Sequence, residues 1–132
     1  MSSLLLDTTF LVDVERGGVD LDEVIADADD VAIAAITLAE LLVGVRLASP
    51  RRKGPREEYV GDVMESVPII TYDVRVASEH ADLLCYVRES GTPSGAHDLI
   101  IAATARATHR AVITADREAF SDLPGVVAIA HR

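Results

Sequence analysis

A single cysteine, Cys85, leaves this chain unable to form an internal disulfide. It lies in an apolar helical pattern, which predicts an ordinary packed thiol in a protein of the reducing cytoplasm. Aromatic side chains are few: two Phe, three Tyr and no Trp offer no obvious platform on which unpaired bases could stack. Positive charge is short as well. Twelve Lys and Arg face 22 Asp and Glu, a formal net charge of −10. That excludes nucleic-acid binding through a uniformly basic surface and confines any such contact to a local patch. No Gly-rich loop of the P-loop type is present.

Long apolar runs are missing too. The longest, Val31 to Val45, is broken by Thr37 and Glu40 and falls short of the ~20 residues that span a bilayer. Met1 to Asp7 lacks the basic start and apolar stretch of a secretory signal. The expectation is a soluble, cytoplasmic protein with no membrane contact. What the chain does have is 49% hydrophobic and 26% charged residues over 132 positions, enough for one buried core and a single domain, residues 1–132. Internal repeats and dividing linkers are absent.

The order of elements carries more. Leu4 to Leu6 is a short apolar run ending at Asp7, and Val31 to Ile36 is a β-branched run ending at Thr37; both predict buried strands. From Thr37 to about Ala48 apolar residues recur at helical spacing, with Pro50 as the stop, and Pro55 to Ser66 predicts a weaker helix. A strand follows at Ile69 and Ile70. Val74 to Glu89 predicts a helix with its apolar face at Val76, Leu83, Leu84 and Val87, ended by Gly91 and Pro93. His97 to His109, rich in Ala and Ile, predicts a buried helix. Ala111 to Thr114 is the next strand, a short helix follows Asp116, and Val126 to Ile129 is the last strand. Strands alternating with helices imply an α/β fold, a mainly parallel sheet covered on both faces.

That architecture constrains four acids. In an open parallel sheet the C-terminal ends of the strands share one edge, and ligands bind there. Asp7 follows the first strand and Asp116 follows the Ala111 to Thr114 strand. Glu40 sits one helical turn beyond the second strand, and Asp98 opens the Ala-rich helix. All four should meet at that edge. Each also has a local explanation: Thr37 to Glu40 matches a capping box, Asp7 and Asp116 suit N-caps, and Asp98 suits a first helical turn.

Energetics separate the two explanations. Two carboxylates ~5 Å apart repel by ~3 kcal/mol at an effective dielectric of ~20, whereas a helix terminus returns only about 0.3 to 1 kcal/mol per acid. Four converging acids therefore hold either protons or a cation. Oxygen donors without Cys, and without a His at ligand spacing, favour Mg²⁺ or Mn²⁺ over zinc. His97, beside Asp98, is the one candidate nitrogen ligand, but it reads rather as a helix-start residue, since sequence neighbours point to different helix faces. A hydrated Mg²⁺ held by carboxylates suits phosphodiester hydrolysis.

Four segments sharpen this reading: LLDTTFLVD at 5–13, AITLAEL at 35–41, DLIIAATA at 98–105 and ITAD at 113–116. In order and spacing they resemble the signatures of PIN-domain ribonucleases, in particular the VapC toxins of bacterial toxin-antitoxin pairs, over nearly the whole chain. The resemblance implies a three-layer α/β/α fold and an Mg²⁺- or Mn²⁺-dependent endoribonuclease that leaves a 5′-phosphate and a 3′-hydroxyl. It also implies a homodimer, inhibited by a VapB-type antitoxin whose C-terminal segment wraps the toxin and can place an Arg in the acidic site. Carried over by position, Asp7, Glu40, Asp98 and Asp116 are the acidic quartet that holds the metal, with Asp7 and Asp98 first among its direct ligands. Thr9 and Thr114 match hydroxyl positions that either fix a carboxylate or a metal-bound water, or make a local turn bond.

Between Leu41 and Arg56 there is no acid, while Arg46, Arg51, Arg52, Lys53 and Arg56 gather there. This segment either guides an RNA backbone toward the acids or is a solvated loop. Receiver domains and haloacid-dehalogenase-like phosphatases also collect acids at a sheet edge, but both need a late lysine. Lys53 is the only lysine here. A non-catalytic alternative, a binding module whose acidic pocket receives a basic partner, differs from the nuclease by its lack of metal-dependent RNA cleavage.

Overall fold

The computed structural model describes residues 1–131. Five strands, β1 (Ser3–Leu6), β2 (Asp30–Ala34), β3 (Ile69–Ile70), β4 (Ala111–Thr114) and β5 (Ala128–Ala130), form one sheet in the order β3-β2-β1-β4-β5. Every pairing in it is parallel. Parallel neighbours cannot be joined by a tight turn, so helices fill the crossovers. They are α1 (Thr8–Glu15), α2 (Leu21–Val24), α3 (Ala35–Arg46), α4 (Pro50–Ser66), α5 (Val74–Ser90) and α6 (Ala96–Thr108), with a 3-10 helix at Arg117–Phe120.

The strands are buried on both faces, which is why β1 reads as unbroken Leu4-Leu5-Leu6 rather than as an alternation. Leu5, Ala32, Ala34 and Val112 face one helical layer, where Val76 and Leu83 of α5 and Leu99 and Ala102 of α6 close the core. Leu4, Leu6, Ile33 and Ile113 face the other, against Phe10, Leu11, Leu41, Val45, Val60 and Val63 of α1, α3 and α4. The result is a three-layer α/β/α sandwich. Burying each large aliphatic side chain contributes about 1.5–3 kcal/mol. Along α6 the buried positions include Ala102, Ala103, Ala105 and Ala107, small enough for the helix to pack closely and hold its first turn over the sheet edge. From β1 the chain builds outward to β2 and β3, then returns to place β4 on the other side of β1. The crevice where strand order reverses, between the C-terminal ends of β1 and β4, is where such sheets bind ligands.

Several expectations need correction. β2 ends at Ala34 and α3 begins at Ala35, so Thr37 lies inside the first turn, fully buried, and is not a cap. Its hydroxyl has no hydrogen-bond partner among the described residues, and the capping-box explanation of Glu40 falls with it. Pro50 does not stop a helix; it opens α4 at a position where a missing N–H leaves no bond unmade. Pro55, expected at the helix start, sits inside α4. The basic segment is therefore not a loop: Arg46 ends α3, and Arg51, Arg52 and Lys53 lie in the first turn of α4. Cys85 is exposed, not packed, because the buried stripe of α5 runs through Val76 and Leu83 and leaves position 85 on the outer face. The last strand begins at Ala128, two residues later than its apolar run. Two helices, α1 and α2, have no counterpart in the sequence pattern: Phe10, Leu11, Val12 and Val14 run almost continuously, without a clear helical period. Among the described residues no helix is long and apolar enough to cross a membrane.

Candidate active site at the sheet edge

Asp7 extends β1 by one residue, its N–H donating to Ile113 O of β4 at 3.1 Å. It then caps α1: Oδ1 accepts the Phe10 N–H at 2.9 Å and the Thr9 hydroxyl at 2.8 Å. The local reading of Asp7 as a cap is thus correct, yet the residue is only 3% exposed, far more enclosed than a cap requires. Burial pushes its carboxyl above the ordinary aspartate range; hydrogen bonds from Thr114, Phe10 and Thr9 oppose that, and the charge of Glu40 adds to it.

Thr9 and Thr114 form a relay beneath the acids. The Thr9 hydroxyl donates to Asp7, and its oxygen lies 3.3 Å from Thr114 Oγ1. Thr9 Oγ1 accepts the Ala115 N–H at 3.0 Å, and Thr114 Oγ1 accepts the Asp116 N–H at 2.9 Å. These two hydroxyls join the ends of β1 and β4 and fix where Asp7 and the Asp116 backbone stand. Asp116 itself is exposed, at the start of the 3-10 helix, with no side-chain capping bond.

Glu40, in the second turn of α3, reaches across to both neighbouring helices. Oε1 accepts the Thr8 hydroxyl at 2.7 Å, and Oε2 lies 3.3 Å from His97 Nδ1. Asp98 stands in the first turn of α6, half-buried. Burial raises its carboxyl above the ordinary value, and the charges of Asp7, Glu40 and Asp116 raise it further, while His97 opposes them. The charges of Asp7 before α1, Glu40 on α3 and Asp116 after β4 therefore all act on Asp98 of α6.

Thr8 is a site contact that the sequence pattern does not single out, and the contact of His97 with Glu40 is not read from it either. His97 stands in the first turn of α6, one residue after its start at Ala96, and it also faces Glu40. Neither contact leaves a signal in spacing, because each depends on how three helices pack against one another.

The donors suit a hard divalent cation. All four are carboxylates, and no Lys or Arg among the described residues forms an ion pair with any of them. Nor, among the described residues, are three or more His, Cys, Asp or Glu side chains drawn into a ready-made cage. An ion that retains most of its waters, as Mg²⁺ does, needs only one or two of these carboxylates directly. Of the expected basic residues, Arg56 borders this edge, whereas Arg46 and Lys53 line a separate cleft with Glu57. Arg16, Arg51, Arg52 and Arg56 line a cleft of about 310 Å³, and Arg16 and Arg56 also border a smaller one of about 80 Å³ lined by Thr8 and Glu40. Arg56 is held by Glu15 at 3.5 Å and by Gly44 O at 3.3 Å.

A model of the PIN domain matches residues 4–126. The chain belongs to the PIN-domain family. Within that family it stands with the VapC proteins: it is 36% identical to Ribonuclease VapC5 of Mycobacterium tuberculosis over 129 residues, covering 95% of this chain and 90% of that protein. Among solved structures, a chain of VapBC-5 from Mycobacterium tuberculosis, a member of the VapBC family of toxin-antitoxin systems, is 30% identical. The TM-score is 0.79, with 100% of this chain and 99% of that one covered. A chain of VapBC2 from Rickettsia felis, crystallised with a DNA fragment from its promoter, has a TM-score of 0.89 at 22% identity, covering 98% of this chain and 99% of that one. At that identity the likeness speaks to the fold alone: the PIN sheet and its helical layers are shared.

Proposed function

We propose that this PIN-domain chain is the cytoplasmic toxin of a VapBC-type pair, an Mg²⁺- or Mn²⁺-dependent endoribonuclease. Its site is Asp7, Glu40, Asp98 and Asp116. The observation that supports this most is the shared field of four carboxylates at the strand-order reversal, with no Lys or Arg ion-paired to them among the described residues. At neutral pH such a cluster either keeps protons or is stabilised by a cation.

Asp7 and Asp98 are the direct ligands in this reading, Asp116 and Glu40 orienting coordinated or attacking water. When bound, the cation polarises a phosphate oxygen and lowers the pKa of the attacking water. One of the carboxylates accepts the proton of that water as its oxygen bonds to phosphorus. The bond from phosphorus to the 3′ oxygen breaks, the oxygen takes a proton, and the products carry a 5′-phosphate and a 3′-hydroxyl. Thr9 and Thr114 hold Asp7 and the Asp116 turn still through the cycle. Arg46, Arg51, Arg52, Lys53 and Arg56 lead the RNA backbone along the start of α4 toward Glu40.

The chain works as a homodimer, and a VapB-type antitoxin silences it by seating a basic side chain among the acids. Solved relatives from VapBC toxin-antitoxin systems support that pairing. The decisive experiment uses the purified chain without antitoxin. It should cut RNA with Mg²⁺ or Mn²⁺ and stop cutting when either is chelated, and Asp7→Asn or Asp98→Asn should abolish cleavage. Cleavage that persists in chelator, or full activity in both variants, would refute the mechanism and leave the acidic pocket as a binding site alone.

A further inference from the structure

Gly95 precedes α6 as its N-cap, with φ −67° and ψ 142°. Any residue adopts that conformation, so the backbone does not call for glycine. Glycine is a good N-cap, but Ser, Thr, Asp or Asn would serve the helix at least as well by bonding the free amides of the first turn, and Gly95 makes no side-chain cap. What sets glycine apart from those caps is what stands over it. A Cβ at position 95 would lie 2.8 Å from Asp98 Oδ2, 3.5 Å from Asp98 Cγ and 3.9 Å from Asp98 Cβ. The three nearest atoms all belong to one side chain, and the first contact is closer than a carbon and an oxygen can approach.

We propose that Gly95 is a positioning residue for the reaction: the missing side chain is what lets the Asp98 carboxylate stand where it faces Asp7, Glu40 and Asp116. The clash falls on the far end of a side chain with two free torsions, not on backbone. A methyl group at 95 therefore leaves the fold intact and turns the carboxylate away. This sets Gly95 apart from Gly17, Gly54, Gly61 and Gly91, where a Cβ would meet nothing within 4 Å. The inference rests on the reading of Asp98 as a metal ligand given above.

The test is Gly95→Ala in the full chain, with Mn²⁺ alone as the probe, followed by titration calorimetry, thermal melting and RNA cleavage. Mn²⁺ affinity should fall about tenfold or more, the range seen when groups that orient ligands are removed. Cleavage should fall with it and recover in part as Mn²⁺ is raised, while the melting temperature stays near that of the parent chain. In an Asp98→Ala background, where no carboxylate remains to displace, Gly95→Ala should cause no further drop in Mn²⁺ affinity. Three results would overturn the proposal: unchanged Mn²⁺ affinity in Gly95→Ala, a strongly lowered melting temperature, or an additional drop in the Asp98→Ala background. If Asp98→Ala itself binds Mn²⁺ like the parent chain, the ligand reading fails and the inference falls with it. If only Gly95→Ala binds normally, the ligand reading stands and Gly95 alone is wrong.

Discussion

The acidic edge and the basic start of α4 are built in opposite ways. At the edge, Asp7 is buried and pinned by Thr9 and Phe10, Glu40 is gripped by Thr8, and Asp98 is half-buried among its neighbours' charges. On α4, Arg51, Arg52 and Lys53 are exposed in the first helical turn. One region holds like charges where the fold alone would not keep them; the other carries charges that cost the fold little. Groups that must meet a reacting phosphate need fixed positions before substrate arrives. Groups that only attract a flexible polyanion can keep their freedom.

The sharpest way to break this comparison is to remove charge from the edge. Asp98→Asn should lower RNA cleavage by more than ~100-fold, beyond the range for groups that merely orient ligands. In metal-free buffer at neutral pH the same variant should melt a few degrees higher than the parent chain. The sign follows from the raised carboxyl of Asp98. A group whose folded pKa lies above its unfolded value contributes stability below the unfolded value, here 3.8, and loses it as pH rises through the folded one. Asn has no proton to lose, so the gap between the two proteins should be widest near neutrality and close as pH falls toward 3.8. Excess Mg²⁺ should reverse the order by stabilising only the parent chain. Equal melting curves across that range would mean that the edge is not strained by its charges.

Thr9→Val tests the pinning itself. It removes the donor to Asp7 Oδ1 and the acceptor of the Ala115 N–H while keeping the side-chain shape. Cleavage should drop about 10- to 100-fold, as for other groups that orient a ligand. Thr9→Ser, which keeps the hydroxyl, should recover most of it. If Val and Ser behave alike, the hydroxyl makes only a turn bond.

How much of the two regions is legible in the sequence follows from the same contrast. Asp7 and Asp116 can be placed without coordinates because each directly follows a buried strand, and parallel strands end on one edge whatever their packing. The strands themselves are legible from Leu4 to Leu6 and Ala111 to Thr114, apolar runs too short to be helices. For Glu40 and Asp98 the sequence indicates the right side of the molecule but not their contacts. Thr8 with Glu40, His97 with Glu40, and Gly95 beneath Asp98 all depend on the angle and distance at which helices cross, and periodicity does not encode these. Pro50 misleads for a related reason: proline ends one helix and begins the next equally well, and only the position of the second helix decides.

The basic region should yield the smallest effect on the fold and a purely electrostatic effect on binding. Replacing Arg51, Arg52 and Lys53 together with Ala removes three exposed charges and leaves the buried packing of α4 untouched, so stability should change by less than about 0.5 kcal/mol per substitution. RNA affinity should fall, and the slope of log affinity against log salt should become shallower by about 2, roughly 0.7 for each single-strand phosphate that is no longer neutralised. The turnover rate at saturating RNA should stay close to that of the parent chain, because the acids and their hydroxyl relay are untouched. This pattern, weaker capture with unchanged chemistry, is the opposite of that expected for Thr9→Val. A fall in turnover without a change in the salt slope would show that these side chains reach the reacting phosphate, and the division between a fixed edge and a free approach would have to be abandoned.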